Sequence, residues 1–523
     1  VSLISDEALQ LLLTDWQSEF DILNGYVFQA GYLHGYEDGS ARIFISAHHL
    51  VIDSISWRIL KEDLHSLYAG QALSPKVSSY RQWAQATREY VDTHLEELSY
   101  WEAVTTDVKD DDGLLEATNE ISHAHIQFTA EQTQQLLQDC SKAYHTEIND
   151  LLLSALAYAL TSLNNTQSHI IRLEGHGREN IQEKLDISRT VGWFTTMFPV
   201  KLSVGVDVSE TIVLNKEHLH GIPNKGFGYG AFLYDERGSI LRQSGLSKIS
   251  FNYLGQFTAS EQAMTDEWFI VGEGSGEAIS KENDSGLLIN INGGIYDGCL
   301  RLSFETKLSE SQCKGVAESY QSALNLIIEH CVTECAQGHS HFTPCDFETV
   351  RLSQSLVTRL TQSNAIDAIY PANSLQQGFI YHSLHAPNDD AYHVQLLWEY
   401  PQALELVAYK AAWEQVWREY PGLRLSFNWE SSLIQLIHSA EPVKLDWTYH
   451  DISASEDEAA SIEKIQREDR ERRFDLTKAP LFRLHILQCS GNKVVVMLSS
   501  HHCILDGWSN PILLNRVHTI YQS

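Results

Sequence analysis

The chain has little of three features that would each assign it to a class of protein. No run approaches the ~20 apolar residues of a membrane-spanning helix, and no signal peptide opens the sequence. Only 37 Lys and Arg stand against 69 Asp and Glu, for a net charge of −32, whereas a nucleic-acid binder needs a basic face. We expect a cytoplasmic protein with an acidic, solvated surface, no nucleic acid or membrane partner, and an exposed loop at the acidic run 107–112.

Cysteine is also scarce and irregularly placed, with eight in the chain. Cys331 and Cys335 have helical spacing, but no second pair follows at the spacing of a zinc site. We therefore expect reduced thiols and no metal.

The most informative feature present is a ten-residue word that occurs twice. It reads HHLVIDSISW at 48–57 and HHCILDGWSN at 501–510. Each copy follows a strand-like apolar run and enters an amphipathic helical pattern. In the first copy, Asp53 is placed to cap a helix predicted over 52–69. The copies lie too far apart for a solenoid repeat, so they indicate one large domain followed by the start of another.

Each word begins with two adjacent histidines, His48–His49 and His501–His502. Neighbouring side chains of an extended strand point to opposite faces. One histidine of each pair should therefore pack inward or hydrogen-bond, and the other should project into a cleft. Imidazole suits proton transfer or the positioning of a nucleophile. The word does not have the i,i+4 histidine pair of metalloproteases. Its aspartate is placed for a helix cap or a buried ion pair.

Other stretches give a coarse map of the chain. Alternating patterns predict a strand at 248–257 and a hairpin at 287–305, and an apolar run from Asn149 predicts a buried helix. The Gly-rich stretch 223–232 lacks the ending of a phosphate loop and is expected to be a turn or a substrate-lining loop. Residues 336–365 have loop composition and then a short helix, so we place a domain boundary there.

Several words together resemble one family. HHxxxDG in the second copy resembles the core motif of the condensation domains of nonribosomal peptide synthetases. The first copy has Ser, Trp and Arg after its aspartate and resembles the epimerization subfamily. The further epimerization-type words are EGHGRE (174–179), TVGWFTTMFPV (190–200), PNKGFGYG (223–230) and FNYLGQF (251–257). The condensation-type words after residue 366 are IYPANSLQQGFIYHSL, YPGLRLSF (420–427) and FDLTKAPLFRLHIL.

The resemblance implies an α/β (α+β) fold of the chloramphenicol acetyltransferase-like, two-lobed condensation superfamily, incomplete at both ends of this chain. Residues 1–115 would be the C-terminal part of the first lobe of an epimerization domain. Residues 116–335 would be its second lobe, 336–365 a linker, and 366–523 the first lobe of a condensation domain.

The implied function is L-to-D epimerization at Cα of an aminoacyl or peptidyl thioester, followed by condensation of the D-donor with an L-acceptor. No cofactor would bind directly. The substrate would be a 4′-phosphopantetheine thioester on a partner carrier domain. Partners would be peptidyl carrier protein domains upstream and downstream, with adenylation domains in the parent chain. Since neither cleft would be complete, the isolated piece is not expected to be active.

The resemblance also implies roles for particular residues. His49 and Glu174 would face each other as the acid and base of epimerization, and Tyr253 would stabilise the enolate oxygen. His502 would position or deprotonate the acceptor amine. Arg424 and Asp506 would form a buried ion pair. The other residues expected to be structural are His48, Asp53, Trp57 and His501. The residues expected to line the substrate are Trp193, Asn252, Gly228 and Tyr229.

Two other functions stay open. The first is a coenzyme A-dependent acyltransferase of the same superfamily, with His49 deprotonating an acceptor hydroxyl. The EGHGRE and FNYLGQ words argue against it. The second is a non-catalytic docking or scaffold module, such as a degenerate epimerization domain. The intact His49 and Glu174 argue against that.

Overall fold

The computed structural model describes residues 6–36, 39–106, 117–118, 120–257, 271, 273–280, 282–362, 366–386 and 389–523. The acidic run 107–112 lies outside the described residues. The chain divides into two compact units, the first ending at Gly338 and the second beginning at His339. None of the helices in the described residues is long and apolar enough to cross a membrane.

The first unit combines helices with two sheets. Its helices are α1 Asp6–Ser18, α2 Ser54–Tyr68, α3 Tyr80–Thr93, α4 Glu96–Thr106, α5 Ala130–Gln138, α6 Cys140–Tyr144, α7 Ile148–Asn164, α8 Val208–His220, α9 Phe227–Leu233, α10 Ser239–Ser244 and α11 Glu310–Ala336. Its strands are β1 Phe28–His34, β2 Ala41–Ala47, β3 Ser122–Gln127, β4 Ser168–Gly175, β5 Thr196–Ser203, β6 Ile249–Phe257, β7 Ile289–Tyr296 and β8 Cys299–Thr306.

The larger sheet of this unit is mixed and six-stranded, in the order β3-β8-β7-β6-β4-β5. β6 runs parallel to both β4 and β7, and the remaining pairs are antiparallel. A tight turn joins β7 to β8, with Asp297 and Gly298 at φ 51° and 77°, the left-handed pair that a two-residue hairpin favours. The strands and the hairpin predicted from the alternating patterns are confirmed.

One face of this sheet is covered by helices. Alternate residues such as Phe251 and Ile291 join a core cluster with side chains of α7 and α11. Tyr320 of α11 packs against Phe251 and donates its hydroxyl to the Leu152 carbonyl of α7, at 2.9 Å. The buried helix predicted from Asn149 is therefore confirmed as α7. The opposite face of the sheet is polar, as expected when only one face meets the core.

The Gly-rich stretch 223–232 differs from its prediction, because it is largely helical. Its first residues form a 3-10 turn with Asn224 and Lys225 in the left-handed region, at φ 41° and 51°. α9 then begins at Phe227, and it buries Phe227 and Phe232 in the interior. Burial of these aromatic side chains outweighs the low helix propensity of glycine.

The second unit has five helices and two sheets in the part of the chain that the structure describes. The helices are α12 Gln354–Thr361, α13 Ser374–His385, α14 Leu406–Glu419, α15 Glu458–Glu471 and α16 Ser509–Gln522. The strands are β9 Ile366–Pro371, β10 His393–Tyr400, β11 Leu425–Asn428, β12 Ile434–His438, β13 Trp447–Asp451, β14 Phe482–Gln488 and β15 Val494–His501. The sheet orders are β10-β15-β14-β13 and β11-β12-β9.

The segment expected to be a linker carries folded structure. It contains a 3-10 turn at Pro344–Phe347 and helix α12. Phe347 and Val357 form a small core with Ile369 of β9 and Leu436 of β12. Residues in the middle of this segment therefore pack on the three-stranded sheet of the second unit.

Candidate active site

The first histidine word joins the end of β2 to the first turn of α2, and its two histidines differ. His48 caps a short 3-10 turn, because its Nδ1 accepts a hydrogen bond from the Leu50 amide at 3.2 Å. His49 is exposed. Its ring meets the Trp193 ring edge-on, with centroids 5.4 Å apart. No described residue hydrogen-bonds to the His49 imidazole, so both of its ring nitrogens are open to a substrate.

Asp53 holds the start of α2 and a distant arginine at once. Its Oδ1 accepts from the Ser56 amide at 2.7 Å, which makes it the N-cap. Both of its oxygens accept from Arg178 at 3.0 to 3.2 Å, with the two side chains only 6% and 7% exposed. Burial would raise the pKa of Asp53, but the hydrogen bonds from Arg178 and Ser56 outweigh it and lower the pKa.

Arg178 belongs to the EGHGRE word, and it fixes a second segment as well. It donates to the carbonyls of Ile187 and Thr190, both at 3.0 Å, and its guanidinium lies 4.0 Å from the Phe194 ring centroid. Sequence reasoning used this word but overlooked its arginine as the partner of Asp53. The only available signal was an arginine inside a matched motif.

Further bonds fix the backbone around Trp193, the residue that contacts His49. Ser56 of α2 exchanges two hydrogen bonds with Gly192, at 3.0 and 3.1 Å. Tyr80 of α3 donates to the Trp193 carbonyl at 2.7 Å. The Trp193 ring is half-buried. This predicted lining residue therefore lies beside His49.

Glu174 lies at the other candidate position, the carboxyl end of β4. β4 pairs in parallel with β6 only at Arg172 and Leu173, so Glu174 is the first residue beyond the last pair. Its side chain is exposed, and the pleat places it on the polar face of the sheet. Asn252 occupies the corresponding position on β6, just after the partner of Leu173. The facing of His49 and Glu174 across one cleft stays a prediction.

Tyr253 follows Asn252 and packs against the core cluster, on the side of the sheet that the helices cover. Its hydroxyl is buried without a hydrogen-bond partner among the described residues, and burial raises the pKa of this hydroxyl. This donor is not used by any group in the part of the chain that the structure describes, but it is not on the face of the sheet that carries Glu174.

Three other predicted residues take structural positions. Trp57 is half-buried in the first turn of α2. Tyr229 is fully buried in the core and packs edge-on against Trp101, at 5.4 Å. A Cβ built on Gly228 would lie 2.1 Å from Glu97. The prediction that Gly228 and Tyr229 line the substrate is therefore wrong, because α9 buries both in the interior.

The second histidine word ends β15, and its first histidine repeats the geometry of His48. His501 Nδ1 accepts from the Cys503 amide at 3.2 Å, and its Nε2 lies 3.3 Å from Ser383 Oγ. His501 is 7% exposed. Burial, with lesser contributions from the neighbouring His393 and His502, lowers its pKa to about 4. This imidazole is neutral at neutral pH.

His502 is half-buried and is held in one orientation. Its Nδ1 lies 2.8 Å from the Leu505 carbonyl. Because a carbonyl only accepts, Nδ1 carries a proton, so Nε2 keeps its lone pair in the neutral ring. The ring stacks on Phe379 with centroids 5.0 Å apart. The tautomer with a free Nε2 is the one that can accept a proton or a hydrogen bond from an amine.

The predicted ion pair between Arg424 and Asp506 is wrong. Arg424, 5% exposed, donates to Asp367 Oδ2 at 2.7 Å and to the His438 carbonyl. Asp506 is exposed and accepts from the amide and hydroxyl of Ser509, both at 2.7 Å. Arg424 lies at the start of the three-stranded sheet, whose neighbouring strands bring Asp367 and His438 to it, whereas Asp506 follows a strand of the other sheet.

The whole chain has relatives among proteins of known kind. The family model described as Condensation domain matches residues 2–341 and 366–523. One protein of the linear gramicidin synthase of Brevibacillus parabrevis is 34% identical over 98% of this chain and 10% of its own length. Bacitracin synthase 3 of Bacillus licheniformis is 30% identical over 99% of this chain and 8% of its own length. The chain thus spans a tenth or less of either protein.

A solved structure is similar to part of the chain. The epimerization domain from the third module of tyrocidine synthetase B is 32% identical, with a TM-score of 0.54, over 63% of this chain and 78% of that domain. The expected chloramphenicol acetyltransferase-like α/β fold is confirmed. The chain therefore belongs to the condensation domain family, as an epimerization- and condensation-type segment related to the nonribosomal peptide synthetases.

Proposed function

We propose that the first unit epimerises Cα of an aminoacyl or peptidyl thioester. The thioester would be carried by the phosphopantetheine arm of a peptidyl carrier domain in the same assembly, in which adenylation domains load the carriers. The second unit would contribute to a condensation domain that joins the resulting D-donor to an L-acceptor amine. The family model and the relatives that match nearly all of this chain support this function.

The observation that carries the proposal is the salt bridge between Asp53 and Arg178. Asp53 lies four residues after His49, and Arg178 lies four residues after Glu174. The bridge therefore ties together the two short segments that bear the exposed imidazole and the exposed carboxylate. Two segments fixed to one another in this way can present an imidazole and a carboxylate in one arrangement, which a two-group epimerization needs.

The chemistry explains why two such groups are needed. Removing the Cα proton of a thioester leaves a planar enolate, and a proton must return to the opposite face. His49 and Glu174 would exchange the roles of base and acid for the two isomers. A donor must stabilise the enolate oxygen. The unsatisfied Tyr253 hydroxyl would serve only if its side chain turns from the core toward the substrate, and a backbone amide is the other source.

The test uses the full-length synthetase with its carrier domain loaded with pure L- or D-aminoacyl thioester in deuterated water. His49→Ala and Glu174→Gln should each abolish interconversion of the isomers. If one group removes the proton from the L-form alone, its variant loses deuterium uptake from that isomer only. His65→Ala and Glu183→Gln change exposed residues of the same types in α2 and after EGHGRE, and should leave the rates unchanged.

The same experiment separates the alternatives. A docking module would show no deuterium uptake in the parent protein, with or without the substitutions. A coenzyme A-dependent acyltransferase would transfer an acyl group from coenzyme A to a hydroxyl acceptor in a manner that requires His49, without isomer exchange. Unchanged product stereochemistry in either His49→Ala or Glu174→Gln contradicts the two-group mechanism.

In the second unit, the fixed tautomer of His502 supports a role in condensation. Its free Nε2 can hydrogen-bond or deprotonate the acceptor amine as that amine attacks the donor thioester. An epimerase delivers a mixture of isomers, so uniform product requires the next step to choose between them. A preference of ~100-fold for the D-donor needs only about 2.7 kcal/mol of differential transition-state binding.

That choice is measured by loading each pure isomer on the upstream carrier of a His49→Ala synthetase and following peptide formation. The D-donor should react much faster, and His502→Ala should slow whichever reaction is measured. Equal rates for the two isomers contradict the stereochemical choice.

A further inference from the structure

The polar face of the six-stranded sheet carries a row of side chains that crosses five strands. Cross-strand pairing aligns Asn252 with Asn292, Asn292 with Ser303, and Ser303 with His125. Glu174 occupies the next place on the same face, beyond Asn252. We call this row, with Asn290 beside it, the amide lane. It begins at the candidate catalytic carboxylate and ends at the edge strand β3.

Asparagine is an unusual choice for these positions. It is depleted in strands because its amide competes with the backbone for hydrogen bonds. Nevertheless Asn252, Asn290 and Asn292 lie on adjacent parallel strands, all half-buried. No side-chain hydrogen bond is formed by these three amides within the described part of the chain. Residues that oppose local preference without a structural gain are typical of functional positions.

The far end of the lane opens into a cavity of about 550 Å³. Among its lining residues are His125, Gln127, Asn292, Arg301 and Ser303. Arg301 is exposed, and no carboxylate in the described residues pairs with it. The cavity thus contains a guanidinium with five N–H donors and no acceptor of its own.

We propose that the amide lane binds the upstream peptide of a peptidyl thioester, so that the substrate of the first unit is a peptidyl rather than a single aminoacyl group. This inference rests on the proposed function for the position of the reacting Cα near Glu174. Each unpaired asparagine amide offers the donor and the acceptor that a peptide group needs. Arg301 and Gln127 then supply donors for carbonyl or carboxylate oxygens at the far end.

The length of the lane fits a short peptide. From β4 to β3 there are four inter-strand steps of about 4.8 Å, roughly 19 Å in all. An extended chain covers that distance with about five or six residues. A lone aminoacyl group would reach no further than the first position of the lane.

The test loads the carrier of the full-length synthetase with thioesters that share one C-terminal residue. One set is aminoacyl, one is a neutral pentapeptide, and one is a pentapeptide with an upstream Glu. In the parent, kcat/KM for isomer exchange should be at least tenfold higher for the pentapeptides. Asn292→Val, which suits a strand, and Arg301→Gln should lower the ratio of pentapeptidyl to aminoacyl kcat/KM at least fivefold.

The matched control is Glu305→Gln, an exposed change on the same face of β8 that does not line the cavity, and it should keep the parent ratio. If Arg301 binds a carboxylate, Arg301→Gln lowers kcat/KM more for the Glu-containing pentapeptide than for the neutral one. If Arg301 binds carbonyl oxygens, Arg301→Gln lowers kcat/KM equally for both pentapeptides. A parent ratio near one, or a ratio unchanged in both Asn292→Val and Arg301→Gln, overturns the proposal.

A second measurement keeps this result separate from the proposed function. Binding of the neutral pentapeptide amide, which cannot react, is titrated against the parent and the two variants. Absence of isomer exchange with every thioester refutes the epimerase, whereas saturable peptide binding that weakens at least fivefold in Asn292→Val still supports the lane. No saturable binding by the parent overturns the lane, whether or not isomer exchange occurs.

Discussion

The two histidine words have the same first turn in different surroundings. His48 and His501 each use Nδ1 to accept from the amide two residues later, at Leu50 and Cys503, and both distances are 3.2 Å. The second histidine contacts an aromatic ring in both units. It is exposed in the first unit, whereas in the second unit it is half-buried and held by a carbonyl. The turn geometry is therefore local to the word, but the environment of the second histidine is not.

The aspartates of the two words diverge more strongly. Asp53 is 6% exposed and bound by Arg178, whereas Asp506 is exposed and caps its own turn through Ser509. Both use the local bond to an amide three residues later. The comparison shows that the word itself provides only the cap. The buried ion pair requires an arginine from a distant segment.

The second unit has its own buried carboxylate behind the word. Asp469, in the last turn of α15, accepts from Arg483 at 2.7 Å and from Gln395 at 2.8 Å. Its other partners are His393 and His485, both at 3.2 Å, and Ser499. Burial opposes ionisation of Asp469, but these hydrogen bonds outweigh it and hold its pKa far below the usual range.

The partners of Asp469 are neighbours across one sheet. Ser499 of β15 pairs with Gln395 of β10 on one side and with Arg483 of β14 on the other. His393 pairs with His501 two residues further along. A single carboxylate therefore fixes three strands just before the histidine word. In the first unit, the Asp53–Arg178 bridge fixes segments from within the word itself.

The largest effect we expect is from Asp469→Ala. It leaves the 4% exposed Arg483 side chain as a buried charge without its partner, which costs about 3–5 kcal/mol of the free energy of unfolding. Denaturant unfolding followed by fluorescence measures the loss. Asp451→Ala, at the exposed end of β13, is the control and should unfold like the parent. Equal midpoints for the two variants would show that the network does not stabilise the unit.

The second prediction makes the same Asp→Asn substitution in each of the two words. Asp53→Asn keeps a cap acceptor but leaves Arg178 buried without a countercharge, so the first unit should lose about 3 kcal/mol. Asp506→Asn keeps its cap and has no buried partner, so the second unit should show no measurable loss. Unfolding transitions of the two variants test this directly. Equal losses would mean that the two aspartates have the same role, against the contacts described.

The third prediction concerns pH. The pKa of His501 is about 4 in the folded protein, against an ordinary 6.5, so the unfolded chain binds a proton more readily. The contribution of neutral His501 is present above about pH 6.5 and is lost as pH falls toward 4, by about 2–3 kcal/mol. His501→Asn retains an acceptor near the Nδ1 position. In this variant the free energy of unfolding should depend less on pH between 6.5 and 4 than in the parent. A slope identical to that of the parent between pH 6.5 and 4 contradicts the assignment.

Sequence patterns predicted what depends on neighbours along the chain. The helix capped by Asp53, the buried helix from Asn149 and the 287–305 hairpin all follow from local periodicity and turn residues. The exposed positions of His49 and Glu174 agree with the roles that the resemblance implies.

Long-range partners could not be predicted in this way. Arg424 finds Asp367 because β9, β11 and β12 share a sheet, and no spacing rule indicates that. The burial of Tyr229 depends on how α9 packs against α4. Asp469 lies in a stretch rich in charged residues, and only the fold shows that its carboxylate is 1% exposed.

The smallest effect we expect is spectroscopic and concerns the second histidine of each word. His502 Nδ1 donates to a carbonyl, so its neutral ring should exist as one tautomer with Nε2 unprotonated. His49 has no hydrogen bond from the described residues, so its neutral ring should populate both tautomers, with Nε2–H favoured as in a free histidine side chain. Nitrogen-15 shifts of the two rings above pH 8 measure the populations. His49→Asn and His502→Asn assign the signals. If the two rings gave the same pair of shifts, the carbonyl of Leu505 would not control the tautomer of His502. The argument that His502 is fixed as a base in the second unit would then fail. The argument that His49 can act as acid or base in the first unit would stand.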